Sequence, residues 1–483
     1  MSDPTPWDRT LSVTCDGKGL VGHAGAVLLR KLADRVGLTG SLAGVLPSST
    51  ANGWRQRAAV LVQLAVAIAL GARSLLEAER VQLHQQHVFG APVSDSTMRR
   101  LLACLDQATT DTIAKVRKRV RRHVWTLLHL RPGGFPWIQT AGRRLKGWIV
   151  LDLDATIITA ASKKQRAAPT FKGTFGFHPL AAWCANTGES LAMELRPGNA
   201  GANTTTDHVR VLAAALAQIP GSSRSKLLIR VDGAGATHAL LEHLHALNTT
   251  RRTVRYTVGW MITPADEAAI AMLPEAAWEA SLAQDGQVQE SYQVAELTGV
   301  NTRHGWPEPM RLIVRRVRPS GRHAKNLTAF EKRTGWRYSV LATNIGRMWG
   351  ITGSHQPQFL DALHRDHAEV EDRVRTNKAM GLHNLPSSSW LLARSPLDAG
   401  ARGWVLAANL AADLDAWLRL LTLHDDDELA RAEPDTMRFR IYHLPARLAH
   451  HARRRILRIE RTWPWAEAFI ACWRRLVALP APA

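Results

Sequence analysis

The segment Gly147-Trp-Ile-Val-Leu-Asp-Leu-Asp-Ala-Thr156 restricts this chain more tightly than any other. Apolar residues from Trp148 to Leu151 lead directly into Asp152 and Asp154. At a spacing of two, both carboxylates point to the same face of a strand. Buried carboxylates persist only when they are paired, hydrogen-bonded or bound to a metal. The strand therefore reads as one wall of a metal-dependent site, and other parts of the chain must complete it.

The bulk properties set the class of partner. The chain has 483 residues, enough for two to four domains, and its 46% hydrophobic and 21% charged content exclude a disordered chain. Lys and Arg number 62 against 41 Asp and Glu, a net charge of +21, and the basic residues are clustered. Such a surface most often meets nucleic acid, with a membrane surface as the second possibility. Cys15, Cys104, Cys184 and Cys472 are widely spaced, which excludes a cysteine zinc ribbon and fits a reducing compartment. The opening residues do not read as a signal peptide, and the longest apolar run, 58–72, contains Gln63 and is too short to span a bilayer. A soluble, cytoplasmic protein with no membrane association is expected.

Apolar residues recur at helical spacing through 24–36, 58–76 and 112–130, so residues 18–130 read as helical. Within them Gly90 and Pro92 end one element, and Ser94 or Ser96 can cap the next, which opens with Thr97, Arg99 and Arg100. That outline is a helix–turn–helix. Arg131-Pro-Gly-Gly-Phe-Pro136 then breaks the pattern. Strands are expected at 147–155, 180–184 and 190–195, then a helix at 207–219, a strand at 226–231, a helix at 234–247 and a strand at 254–258. Residues 260–345 hold a helix-like part, 264–283, followed by β-prone segments. A single long helix is expected at 358–378, another at 402–423, and a basic, aromatic end at 444–478. From Arg438 onward ten arginines face two glutamates, which makes this end a candidate phosphate-facing surface.

Two further acids can complete the site. The strand Leu227-Leu-Ile-Arg-Val-Asp232 ends in a carboxylate beside Gly-Ala-Gly, where open α/β sheets place their sites. His364, His367, Glu371, Arg375 and Lys378 follow 3–4 spacing and share one helix face that does not read as a core face. A zinc site from His364, His367 and Glu371 is geometrically open. Oxygen-rich acids suit Mg²⁺ or Mn²⁺ better, and two such ions can clamp the attacking and leaving oxygens of a phosphoryl displacement.

These residues also carry a family resemblance. The order of three strands, helix, strand, helix, strand resembles the ribonuclease-H-like fold, an α/β mixed sheet flanked by helices. Asp154-Ala-Thr156, Asp232 and Glu371-x6-Lys378 resemble the D, D and E of a DDE transposase, most nearly the insertion-sequence 1380 family. So do Gly176-Phe-His-Pro-Leu180, Thr187-Gly-Glu189, Leu195-Arg-Pro-Gly-Asn-Ala-Gly-Ala-Asn203, Leu444-Pro-Ala-Arg447 and Trp463-Pro-Trp465. His364 and His367 depart from the broader signature, which has Tyr and Arg at those places.

The resemblance implies a helical DNA-binding region at 1–135 and a catalytic domain at 145–259 and 346–400. It also implies a β-rich insertion at 260–345 and a basic helical region at 401–483. It implies two Mg²⁺ or Mn²⁺ ions on Asp154, Asp232 and Glu371, with Asp152 and Thr156 in support. Lys378, Arg375, His364, His367, Lys163, Lys164, Arg99 and Arg100 would contact double-stranded DNA, both terminal inverted repeats and target. Trp260, Trp306 and Trp336 are candidates for base stacking, or core residues. A homodimer would join two transposon ends, in a cytoplasmic, nucleoid-associated setting. A stand-alone nuclease of the same fold and an inactive repressor derived from a transposase remain as alternatives.

Overall fold

A computed structural model describes residues 12–46, 56–260, 262–300, 305–321, 324–387, 389 and 403–482. The N-terminal leader reading and the end of the expected 346–400 segment lie outside them.

The N-terminal part is helical, as its periodicity dictates. Its helices include α1 (Ala26–Arg35), α2 (Arg57–Ala69) and α3 (Leu75–His84), with a short helix at Leu38–Val45 between the first two. Gly90, at φ 81°, then turns the chain towards α4 (Asp95–Cys104). The Ser94 hydroxyl caps α4 by accepting from the Thr97 amide at 3.3 Å. Gln82 and Glu79 on α3 accept from the Val93 and Asp95 amides at 3.1 and 3.0 Å, which fixes α3 against α4. Met98, Leu101 and Leu102 face inward while Arg99 and Arg100 stay exposed, so the helix–turn–helix outline is real in the backbone.

α5 (Gln107–Leu130) joins this region to the sheet. Its basic residues divide: Arg117 and Arg121 are buried, while Lys115, Arg119 and Arg122 face solvent. Glu189, in the turn of the Thr187-Gly-Glu189 motif, is fully buried. It accepts from Arg121 Nε at 2.7 Å, Trp125 Nε1 at 2.8 Å, Trp417 Nε1 at 2.6 Å and Thr187 Oγ1 at 2.6 Å. Asp413 accepts from Arg117 and Arg121 on its other side. A buried guanidinium is tolerable only with its charge and donors matched in this way.

One sheet organises the remainder. Its strands are β1 (Ile149–Ala155), β2 (Leu180–Cys184), β3 (Ser190–Glu194), β4 (Lys226–Val231), β5 (Thr253–Trp260), β6 (Glu279–Leu282), β7 (Val288–Glu296), β8 (Arg311–Val317) and β9 (Arg337–Thr343). The spatial order is β6-β7-β8-β9-β5-β4-β1-β2-β3. β1, β4 and β5 run parallel, β2 pairs antiparallel with β1, and β3 pairs antiparallel with β2. α6 (Thr205–Gln218) and α7 (His238–Ala246) make the crossovers. This is the ribonuclease-H-like mixed sheet flanked by helices. The four strands of 279–343 do not form a separate layer; they extend the same sheet by antiparallel pairing of β9 on β5.

Two expected helices differ. The helix expected through 283 stops at Ala271, and β6 takes up the later residues, where Ser281 is buried on the sheet. The single helix expected at 358–378 is α8 (Pro357–Arg365), a tighter 3₁₀ turn (Asp366–Glu369), then α9 (Val370–Asn377). The tight turn places Asp366 and His367 inward, a burial that a straight charged helix would not favour. α10 (Trp404–Thr422) is apolar nearly all round and buried accordingly. The C-terminal region is helical apart from a β-hairpin, β10 (Ala446–His451) and β11 (Arg454–Ile459), whose base pairs antiparallel with Leu20–Val21 and which precedes α11 (Ala466–Ala478). Among the described residues no helix is long and apolar enough to cross a membrane.

Candidate active site

Strand register brings the first two acids together. Arg230 on β4 lies beside Asp152 on β1, and Val231 lies beside Leu153. One step further, Asp232 leaves the end of β4 next to Asp154. Burial, and after it the charge of Asp232, push the Asp154 carboxyl up to about 6; Glu371 adds to the rise, while His367 and the Ala155 amide, 2.7 Å away, oppose it. Three acids from three elements thus act on one another at a partly buried aspartate. Glu371 is exposed on α9, and Lys378, just past the end of α9, is half-buried; burial and then Lys172 lower its ammonium, with Asp154 opposing them.

Asp152 points to the same face as Asp154 and does different work. It is fully buried. Arg230 grips it with Nε to Oδ1 at 2.6 Å and Nη2 to Oδ2 at 2.9 Å. His367 Nδ1 donates to Oδ1 at 3.1 Å, and Arg373 Nη1 donates to Oδ2. Burial alone would raise this carboxyl, but Arg230 and Arg373, with His367, outweigh it and hold it far below the usual range. Arg230 also reaches the Leu363 carbonyl at 3.3 Å and Asp366 at 3.9 Å. Strands β1 and β4, helix α8, the tight turn and α9 are therefore locked together directly beneath Asp154. Arg230 and Arg373 are the residues that sequence reasoning passed over. A lone arginine inside the apolar run Leu227–Val231 was the available signal.

His364 is packed against β5. A Cβ on Gly259 would come within 2.5 Å of its Nε2, so only glycine permits the approach, and Nδ1 lies 3.2 Å from Thr257 Oγ1. A cavity of about 240 Å³ opens beside Asp232 and is lined by Gly259, Trp260, Arg315, Asp361 and His364. Burial first, then His367, Arg315 and Arg230, push His364 down to about 3. It is neutral across the physiological range and does not act there as a protonated phosphate donor. The unfolded chain takes up this proton near 6.5, so below that pH the unfolded state binds more protons and stability falls as pH drops towards 3. His364→Gln should flatten that limb in denaturant melts taken across mildly acidic pH. Subtracting the variant curve from wild type removes the contribution of Asp366, whose carboxyl burial raises to about 6. A wild-type slope retained in the variant would contradict this assignment.

The chain matches the family described as transposase DDE domain group 1 over residues 4–481. It belongs to that family. Among solved structures it is similar to the piggyBac transposase of a synaptic complex with hairpin DNA, at 11% identity and a TM-score of 0.37, covering 86% of this chain and 78% of that one. No curated protein matches the sequence.

In this member of the family the other anticipated residues are variously placed. Lys163 is exposed, while Lys164 Nζ reaches Asn384 Oδ1 at 3.1 Å and the Leu385 carbonyl, which ties the 163–172 loop to the segment after α9. Arg375 is exposed and paired with Glu433 and, at 3.4 Å, Asp372. Glu369 pairs with Arg373 at 3.1 Å, which engages it away from Asp154 and leaves Glu371 as the acid that acts there. Thr156 is held through its amide to the Pro179 carbonyl at 3.0 Å. His367, contrary to the non-core helix face expected, is buried against Asp152. Trp336 is already covered by Arg316 and Arg318, 4.5 and 3.8 Å from its ring centre. Trp260 and Trp306 stand 5.8 Å apart and half-buried.

DDE transposases as a family use divalent metal ions. Among the described residues no group of three or more His, Cys, Asp or Glu side chains is close enough to hold an ion together. The donor set nevertheless fits a hard cation in kind: three carboxylates, one with a strongly raised proton affinity, whose mutual repulsion a cation would relieve.

Proposed function

We propose that this chain is a cut-and-paste DNA transposase of the insertion-sequence 1380 kind. It cleaves double-stranded DNA at terminal inverted repeats and joins the freed 3′-hydroxyls to target DNA. The observation that carries the reading is Asp154, raised to about 6 by burial, by Asp232 and by Glu371, at the end of the central strand of a DDE-family chain. Asp154, Asp232 and Glu371 would hold two Mg²⁺ or Mn²⁺ ions. Those ions, when bound, lower the pKa of the attacking hydroxyl and neutralise charge on the leaving oxygen. The protein's own residues supply position. Asp152, Arg230 and Arg373 fix α9 against β1 and so set where Glu371 stands. Lys378, half-buried near Asp154, offers a cation to a phosphate oxygen.

In the same reading residues 1–135 bind the repeats, with Arg99 and Arg100 on the exposed side of α4. Residues 145–259 and 346–400 make the catalytic domain, 260–345 its insertion and 401–483 a basic C-terminal region. Lys163, Lys164 and Arg375 lie along the path of the DNA backbone, with Thr156 beside the acids, while His364 and His367, packed against β5 and Asp152, support the site from behind that path. Two copies act together on two ends, in the cytoplasm at the nucleoid.

A labelled terminal-repeat duplex, incubated with Mg²⁺ or Mn²⁺ and a target plasmid, tests this. Joined product is expected. Nicking without joining would mark a stand-alone nuclease, and retention without cleavage would mark a repressor.

A further inference from the structure

The C-terminal hairpin has an outward face that the fold itself does not use. β10 and β11 pair from Ala446 opposite Ile459 to His451 opposite Arg454. Alternation places Leu448, Leu457 and Ile459 on one face, where they pack on the core. On that same inner face Arg455 donates to the His87 carbonyl, while Arg30 of α1 donates to the neighbouring Val88 carbonyl. These two bonds tie the hairpin and α1 to the chain just before α4.

The opposite face carries Arg447 directly across from Arg458, Ala449 across from Ile456, and His451 across from Arg454. Like charges directly opposite on a sheet repel, and no acid pairs with Arg447, Arg454 or Arg458 among the described residues. Between the arginine rungs lies Ile456, 38% exposed. The tip turns through Ala452 and Arg453 at φ 45° and 65°, left-handed positions that asparagine and glycine fill at lower cost. The fold therefore tolerates an opposed arginine pair, an exposed isoleucine and an arginine in a strained turn on one small ribbon. Folding accounts for none of them, whereas an anionic groove with an apolar floor would satisfy all three.

We propose that this hairpin is a DNA-contacting ribbon whose outward face lies in the major groove of double-stranded DNA. Arg447, Arg453, Arg454 and Arg458 meet phosphates and base edges, and Ile456 meets base-edge carbon. Leu20–Val21 pairs with Arg447 and Ala446 at the base of β10, and beyond that pairing the hairpin projects as the two-stranded antiparallel ribbon that the major groove admits; its basic face with a central apolar residue suits the walls and floor. Because the inner face of the ribbon is tied to the segment leading into α4, ribbon and helix form one composite surface. The inference rests on the reading of this chain as a DNA transposase, and extends it to a surface apart from the three acids.

The test uses the full chain and a labelled mixed-sequence duplex, with fluorescence anisotropy read over a range of salt. Each lost phosphate contact lowers the slope of log K against log salt by about 0.9. The triple variant Arg447→Ala/Arg454→Ala/Arg458→Ala should therefore lose roughly 2–3 units of slope and bind the duplex about tenfold or more weakly. Its melting temperature should hold or rise, since the opposed charges are gone, and the Arg→Lys triple should keep most of the slope. An unchanged slope overturns the proposal, as does an equal loss on single-stranded DNA, or a loss of binding matched by a fall in melting temperature. Metal-dependent cleavage is measured on the same preparations. Failure of cleavage with the slope change intact removes only the transposase chemistry, and cleavage with no slope change removes only the ribbon.

Discussion

Asp232→Asn should abolish metal-dependent cleavage and joining while leaving duplex binding within about twofold of wild type. The expected loss is roughly a thousandfold or more, equivalent to about 4 kcal/mol of transition-state stabilisation. The substitution keeps the shape of the side chain and removes one of the negative charges that a divalent cation would bridge. It also removes the like charge with the largest effect on Asp154, second only to burial in raising that carboxyl to about 6. The folded protein should therefore lose no stability and gain some, as is common where function holds like charges together. The sign with pH follows. A carboxyl whose proton affinity is raised on folding is most favourable when protonated, so its contribution falls as pH rises from about 4 through about 6. In metal-free protein the Asp232→Asn variant should show a shallower fall than wild type over that window. Cleavage at wild-type rates would remove Asp232 from the reaction, and a large drop in melting temperature would recast it as structural.

Asp152→Asn should behave in the opposite way, although it is only two residues from Asp154. Arg230 is fully buried and its bidentate partner is Asp152. Removing one member of a buried pair leaves an uncompensated charge and costs about 3–5 kcal/mol. Chemical denaturation should show this as a lower midpoint with an unchanged slope. Cleavage should fall as well, because Arg373 then loses the anchor that holds α9, and with it Glu371, against β1. The loss should be recovered in part by Asp152→Leu combined with Arg230→Met, which exchanges the pair for apolar volume. The double substitution should restore stability further than it restores cleavage, since the Arg373 anchor stays absent. A near-neutral Asp152→Asn would refute the buried hub.

The two aspartates show how far local sequence reaches. Their shared face and the apolar approach to them are properties of one strand, and the strand formed at 149–155 where 147–155 was expected. The division of labour between them is set elsewhere, by Arg230 at the matching register of β4 and by Arg373 on α9, 78 and 221 residues away. Sequence spacing holds no information about such partners until the strands are paired. The C-terminal hairpin failed to register for a local reason. Arg447-Leu-Ala-His-His-Ala-Arg-Arg-Arg-Ile-Leu-Arg458 has the composition of a basic helix, and Ala452-Arg453 lacks the Asn-Gly or Asp-Gly that marks a tight turn. The long helix expected at 358–378 was broken because Asp366 and His367 find buried partners in Thr140 and Asp152, and those partners outweigh helix propensity.

By itself the sequence determined the order of strands and helices in the central sheet, the candidate acids on its strands and on the later helix, and the basic character of the chain. These follow from periodicity, turn chemistry and charge, which act over a few neighbouring residues. Only the tertiary structure decided which aspartate is neutralised by arginine and which is left in mutual repulsion with two other acids. It alone turned His364 into a neutral packed side chain and set an arginine-lined ribbon beside the helix–turn–helix. Those outcomes depend on desolvation and on charges brought close by strand register, and neither exists before the chain has folded.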